Sequence, residues 1–162
     1  MSPRQADSND APAVRRATPG DAPQVARLLY DFNTEFDEPT PDVETLEGRY
    51  ADLIRNREMI VLLIGDGPDG FAQLRFRPWV HTAGLASYLE ELYVVPDLRG
   101  NGLGRALLEA AMETARAEGA DYMDLGTSET DEAARHLYES AGFTNREGGP
   151  DGPVMLFYER EL

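Results

Sequence analysis

The chain has 162 residues, enough for one domain with a substantial core, and 41% of them are apolar. It has no cysteine and no lysine, all 15 basic residues being arginine, which excludes a cysteine nucleophile, a thiolate metal site, a disulfide, a lysine Schiff base and a P-loop lysine. A net charge of −15 without a basic cluster argues against a nucleic-acid interface; it fits either attraction of a cationic substrate or a plainly solubilising surface.

The first residues, MSPRQADSNDAP (1–12), lack an apolar stretch and read as a disordered tail, neither signal peptide nor anchor, so a single domain is expected over 13–162. AVRRAT alternates as a short strand. Thr18-Pro19-Gly20-Asp21 reads as a helix start with Asp21 as cap, and Val25, Leu28, Leu29, Phe32 and Phe36 follow at helical spacing. Asp37-Glu38-Pro39-Thr40-Pro41 breaks the chain before a second amphipathic helix with Leu46, Tyr50, Leu53 and Ile54 on one stripe. MIVLLIGDG is a buried strand ended by turn residues, GFAQLRFRPWV alternates, and a loop around His81 leads into the strand SYLEELYVV. GLGRALLEAAMETARAEG is a strong helix, YMDLGTS a strand, and DEAARHLYESAG a helix capped by Asp131. FTNREGG and VMLFYEREL read as two closing antiparallel strands. The order β-α-α-β-β-β-α-β-α-β-β predicts an α/β (α+β) fold, a mixed, mostly antiparallel sheet with helices on both faces.

The stretch VVPDLRGNGLGRALL raises a chemical question. Glycine weakens a helix, yet Gly100, Gly102 and Gly104 alternate where one must begin. A helix N-terminus carries unpaired N–H groups and partial positive charge, and glycines let an anion approach the backbone. The run from Arg99 to Arg105 therefore reads as a pyrophosphate cradle, with Arg99 or Arg105 able to add a charged hydrogen bond. The dinucleotide spacing G-x-G-x-x-G fails, since Arg105 or Leu107 stands where the third glycine belongs. A tight turn without a ligand stays the alternative on these residues alone.

Arg99-x-x-Gly102-x-Gly104, after ELYVVP and before an Ala/Leu-rich helix, resembles the R/Q-x-x-G-x-G/A motif of the GNAT N-acetyltransferase superfamily, and ARHLYESAGF (134–143) resembles its second signature. The likeness runs from about Ala13 to the C-terminus. It implies that acetyl-CoA binds where two parallel strands splay. Leu92, Tyr93 and Val94 would pair with the pantetheine arm, and Gly100, Asn101, Gly102, Leu103, Gly104 and Arg105 would cradle the pyrophosphate. Asp131 stands where the family often has a cofactor-contacting Asn; a carboxylate near phosphates is unfavourable, which leaves helix capping as its other role.

Acetyl transfer to an amine requires loss of an amine proton, polarisation of the thioester carbonyl and protonation of the departing thiolate. The resemblance implies direct attack in a ternary complex with Tyr138 as the general acid. YLEELYV is similar to the corresponding strand of spermidine/spermine acetyltransferases, which implies Glu90 as the base. On a regular strand Glu90 and Glu91 point to opposite faces, so only one would reach the cleft. His81 and His136 stand apart without a ligand pattern, and no metal is expected.

The loops FNTEFDEPTPD and RPWVHTAG would frame the acceptor site, the first offering Glu35, Asp37, Glu38 and Asp42 to a polyamine or amino sugar, the second Trp79 and His81 for stacking. A small cationic amine is the first expectation for the substrate, a protein N-terminus or lysine the second, and a non-catalytic acyl-CoA sensor or interaction module the alternative of a different class. A cytoplasmic location without membrane or nucleic-acid partners is expected. A homodimer using VMLFYEREL is compatible with the family, in which paired chains are common.

Overall fold

The computed structural model describes residues 12–162; the stretch read as a tail lies, through residue 11, outside them. The chain divides into one unit ending at Asp124 and another from Leu125 to Leu162. The first unit is built on a sheet of five strands, Val14–Arg16 (β1), Ile60–Ile64 (β2), Gly70–Pro78 (β3), Leu85–Val94 (β4) and Ala120–Leu125 (β5), in that spatial order. β1 to β4 pair antiparallel, and β5, reached through a helical crossover, runs parallel to β4.

Two helices, Ala22–Glu35 (α1) and Val43–Arg55 (α2), cover one face. Val25, Ala26, Leu28, Leu46 and Tyr50 join Val61, Leu63, Phe71 and Tyr93 of the strands in one buried cluster. Leu103–Ala117 (α3) packs against β2, β3 and β4 and buries Leu107, Leu108 and Ala111. β2 is thus covered on both sides, which is why IVLLI is apolar at every position and not only at alternate ones. Each such Leu or Phe contributes roughly 1.5–3 kcal/mol relative to exposure.

The chain breaks carry their own hydrogen bonds. Asp42 accepts from the Thr45 N–H at 2.7 Å and starts α2. Asp21 accepts from the Thr18 N–H at 2.8 Å and from Arg15, closing a short 3-10 turn ahead of α1.

The second unit holds Glu132–Ser140 (α4), capped by Asp131, which accepts from the Ala134 N–H at 3.0 Å. The two closing strands expected from the sequence do not form here. Arg146 and Val154 make an isolated bridge, supported by Glu147 N–H to Pro153 C=O at 3.0 Å and Met155 N–H to Asn145 C=O at 2.7 Å. A two-stranded ribbon is marginal alone, and this unit offers no third strand to extend it. Leu156, Phe157 and Tyr158 are left exposed.

Candidate active site

β4 is not regular. Gln73 of β3 pairs with Glu91 while Leu74 pairs with Leu89, so Glu90 is the extra residue of a β-bulge. The bulge cancels the expected alternation. Gln73 Nε2 donates to Glu90, Arg75 Nε lies 3.0 Å from Glu90 Oε1, and the Tyr50 hydroxyl of α2 donates to Gln73 Oε1 at 2.6 Å. Gln73, on the face beneath α1 and α2, therefore has the Glu90 carboxylate on its own side, and its register partner Glu91 shares that side. Burial, and next the charge of Glu90, push the Glu91 carboxyl up to about 7. Burial raises the Tyr50 phenol well above its ordinary value, with Glu91 and then Glu90 adding to it, so Tyr50 serves this network as a neutral donor.

After β4 the chain makes a 3-10 turn at Pro96–Leu98 and bends through Gly100 and Gly102, whose φ angles are +78° and +82°. These left-handed conformations favour glycine. A Cβ at either position would meet nothing within 4 Å, so conformation demands the glycines and the space above the bend is open. Asn101 Nδ2 donates to the Leu98 carbonyl at 3.1 Å and holds the bend. The first α3 bond runs from Ala106 N–H to Gly102 C=O, so the N–H groups of Leu103 and Gly104 precede the helical ladder. Leu103 anchors the turn with a buried side chain.

The Arg99 guanidinium makes a bidentate pair with Glu35 at the end of α1, both contacts 2.7 Å, and donates through Nε to the Val94 carbonyl at 2.9 Å. It also lies over the Tyr93 ring, 5.4 Å from its centre. The phosphate contact that the sequence offers Arg99 thus competes with a role fixing the bend to α1. The hydrogen bonds from Arg99 lower the Glu35 carboxyl below its ordinary value. Of the four acidic residues expected to meet a cationic acceptor, Glu35 is ion-paired and Asp42 caps α2. Trp79 packs on Tyr122, ring centres 4.3 Å apart, with His81 edge-on at 5.4 Å.

Leu92, Tyr93 and Val94 form the end of β4, directly before the bend. Tyr93 is stacked on Phe32 at 4.8 Å. In the second unit Tyr138 lies on α4, mostly buried, its ring 6.1 Å from Phe143 and its carbonyl accepting from the Phe143 N–H at 3.0 Å. His136 is on α4 and His81 in the β3–β4 loop, and no cluster of three metal-ligating side chains occurs among the described residues. Sequence reasoning did not find the Tyr50–Gln73–Glu90–Arg75 chain. The available signal was Gln73, a polar residue inside an otherwise apolar run, which burial obliges to find partners.

The sheet with its parallel β4–β5 pair and flanking helices has the fold of an acetyltransferase. The sequence model of the acetyltransferase (GNAT) family matches residues 23–143, and the chain belongs to that family. It is 30% identical over 139 residues to the uncharacterised N-acetyltransferase YhfO of Bacillus subtilis (strain 168), covering 83% of this chain and 91% of that protein. It is 31% identical over 141 residues to an aminoglycoside N(6')-acetyltransferase type 1 of Stenotrophomonas maltophilia, covering 85% and 89%. The crystal structure of a candidate acetyltransferase from Arthrobacter sp. FB24 matches with a TM-score of 0.87 at 45% identity, over 96% of this chain and 99% of that one.

Proposed function

We propose that this chain transfers the acetyl group of acetyl-CoA to a primary amine of a small cationic molecule, by direct attack in a ternary complex. The observation that carries the reading is the open bend after β4, where two left-handed glycines lead into the first turn of α3 and its Leu103 and Gly104 amides, which lie ahead of the first helical bond. Such amides suit a diphosphate. In this reading the N–H groups of the Gly100–Arg105 segment hold the pyrophosphate of acetyl-CoA, and the backbone of Leu92, Tyr93 and Val94 aligns the pantetheine arm. Asp131 acts as the cap of α4.

An alkyl ammonium, with a pKa near 10, must lose a proton before it attacks, and a carboxylate of the β4 bulge receives it. Tyr138 protonates the departing thiolate; a phenol near 10 and a thiol near 8.5 are close enough for that transfer. The aminoglycoside N(6')-acetyltransferase relative supports a small amine acceptor, as does the net charge of −15. The reading includes a cytoplasmic location, in keeping with the lack of cysteine.

Release of free thiol from acetyl-CoA tests it, with an aminoglycoside bearing a 6'-amine, spermidine, and a peptide offering an N-terminus and a lysine. Thiol release with either small amine, and a fall of about 100-fold in kcat in Tyr138→Phe, are expected. Release with the peptide alone would move the acceptor to proteins. Binding of CoA without turnover on any amine would make the chain a sensor, and no binding would end the reading.

A homodimer belongs to the same reading. Val154, Met155, Leu156, Phe157 and Tyr158 are exposed in sequence, Tyr158 at 84%, and a contiguous apolar segment of this kind favours burial against a partner. Light scattering should give twice the chain mass of 17.9 kDa, and the single-chain mass at micromolar concentration would remove the dimer.

A further inference from the structure

We propose that Glu91 accepts the substrate proton and that Glu90 is a positioning residue, a fixed negative charge beside it; this rests on the acetyl-transfer reading above. The bulge puts both carboxylates on the face of Gln73, but their surroundings differ. Glu90 accepts from Gln73 and is ion-paired to Arg75. The Tyr50 hydroxyl occupies Gln73 Oε1, so the amide presents its NH2 to Glu90. Two donors, one of them cationic, thus occupy the Glu90 carboxylate and fix its position.

Glu91 has neither a hydrogen bond nor an ion pair among the described residues. No fully buried side-chain oxygen is left without a partner, so its carboxylate oxygens reach the surface and are open to water or substrate. The charged and titratable groups that face it are Glu90 on its own strand and Tyr50 on α2; Arg75 on β3 pairs with Glu90. Partial burial and the charge of Glu90 bring its carboxyl to about 7, where a base works best near neutrality.

The ammonium R–NH3+ gives one proton to the Glu91 carboxylate, directly or through water. The freed nitrogen pair bonds to the thioester carbonyl carbon. The carbonyl π pair moves to oxygen as that bond forms and its return breaks the C–S bond with the pair on sulfur; Tyr138 protonates the thiolate, and the second nitrogen proton passes through water to restore the Tyr138 phenol. Amide and CoA thiol leave, and the proton on Glu91 returns to solvent.

The test combines a carboxyl titration with a rate profile, both on the full chain. Carbon-13 NMR of glutamate-labelled protein, assigned with Glu91→Gln, should show Glu91 titrating near 7, and lower in Glu90→Gln but still raised by burial. Titration of Glu91 in the ordinary range in the unaltered protein overturns the proposal whether or not an acceptor is known. With acetyl-CoA and the 6'-amine aminoglycoside, kcat/KM should fall on the acid side of pH 7 in the unaltered enzyme. Glu91→Gln should lose that limb and about 100-fold in rate; Glu90→Gln should keep the limb, displaced to lower pH. The reverse pattern assigns the base to Glu90 and overturns the proposal. Calorimetry with CoA separates the two readings. Retained binding in both variants locates their defects in proton transfer, whereas no binding by the unaltered chain defeats acetyl transfer and leaves Glu91 to be judged by its titration.

Discussion

A carboxyl whose pKa rises on folding makes stability depend on pH in a direction opposite to the usual one. Glu91 goes from the ordinary 4.5 to about 7, so the folded state holds its proton more tightly than the unfolded chain does. Its favourable contribution is complete below the ordinary value and is lost as pH rises through 7. Glu91→Gln should therefore be more stable than the unaltered protein at pH 9, by on the order of 2–3 kcal/mol, with the difference gone below about pH 4. Urea denaturation across that range checks it; a constant difference would show that the Glu91 carboxyl is not perturbed. Asp21 works in the opposite sense. The Arg15 guanidinium and the Thr18 N–H hold it well below the ordinary aspartate value, so its contribution is present above that value and fades as pH falls. The Glu90/Glu91 pair was readable as a base candidate, but the side each carboxylate takes was not. That choice is made by the pairing of Gln73 with Glu91, a contact across strands that alternation along one strand cannot supply.

At the scale of elements, capping and ion pairing account for residues that the sequence offers equally to a ligand. Asp131 bonds the Ala134 N–H, so Asp131→Ala should cost about 1 kcal/mol and Asp131→Asn little, measured by urea denaturation. Equal losses in the two variants would refute the capping role. Arg99 and Glu35 join the bend after β4 to the end of α1. A double-mutant cycle with Arg99→Ala and Glu35→Gln should give a coupling of about 1 kcal/mol in stability, whereas additive losses would mean that the pair contributes nothing. The helices were legible because their apolar stripes and capping residues are local. The Arg99–Glu35 pair spans 64 residues, and no local pattern announces it. The closing strands were misread for a related reason: VMLFYEREL has the composition of a strand, but a strand exists only with a ladder partner, and its unit provides only the bridge at Val154.

For the whole molecule, the order of elements was recoverable down to α4, because buried strands, amphipathic helices and glycine turns each leave a distinct periodicity. Glycine at positions 100 and 102 stands out in the sequence for a conformational reason, since left-handed φ angles there restrict what the chain can tolerate. No described helix is long and apolar enough to cross a membrane. The account of function depends on the diphosphate of CoA being the group that the bend recognises. Calorimetric titration of the full chain with CoA and with pantetheine, which lacks the diphosphate, measures this most directly. CoA should bind at least about 100-fold more tightly than pantetheine, a difference of roughly 2.7 kcal/mol. Equal affinities for the two, or no affinity for CoA, would contradict it.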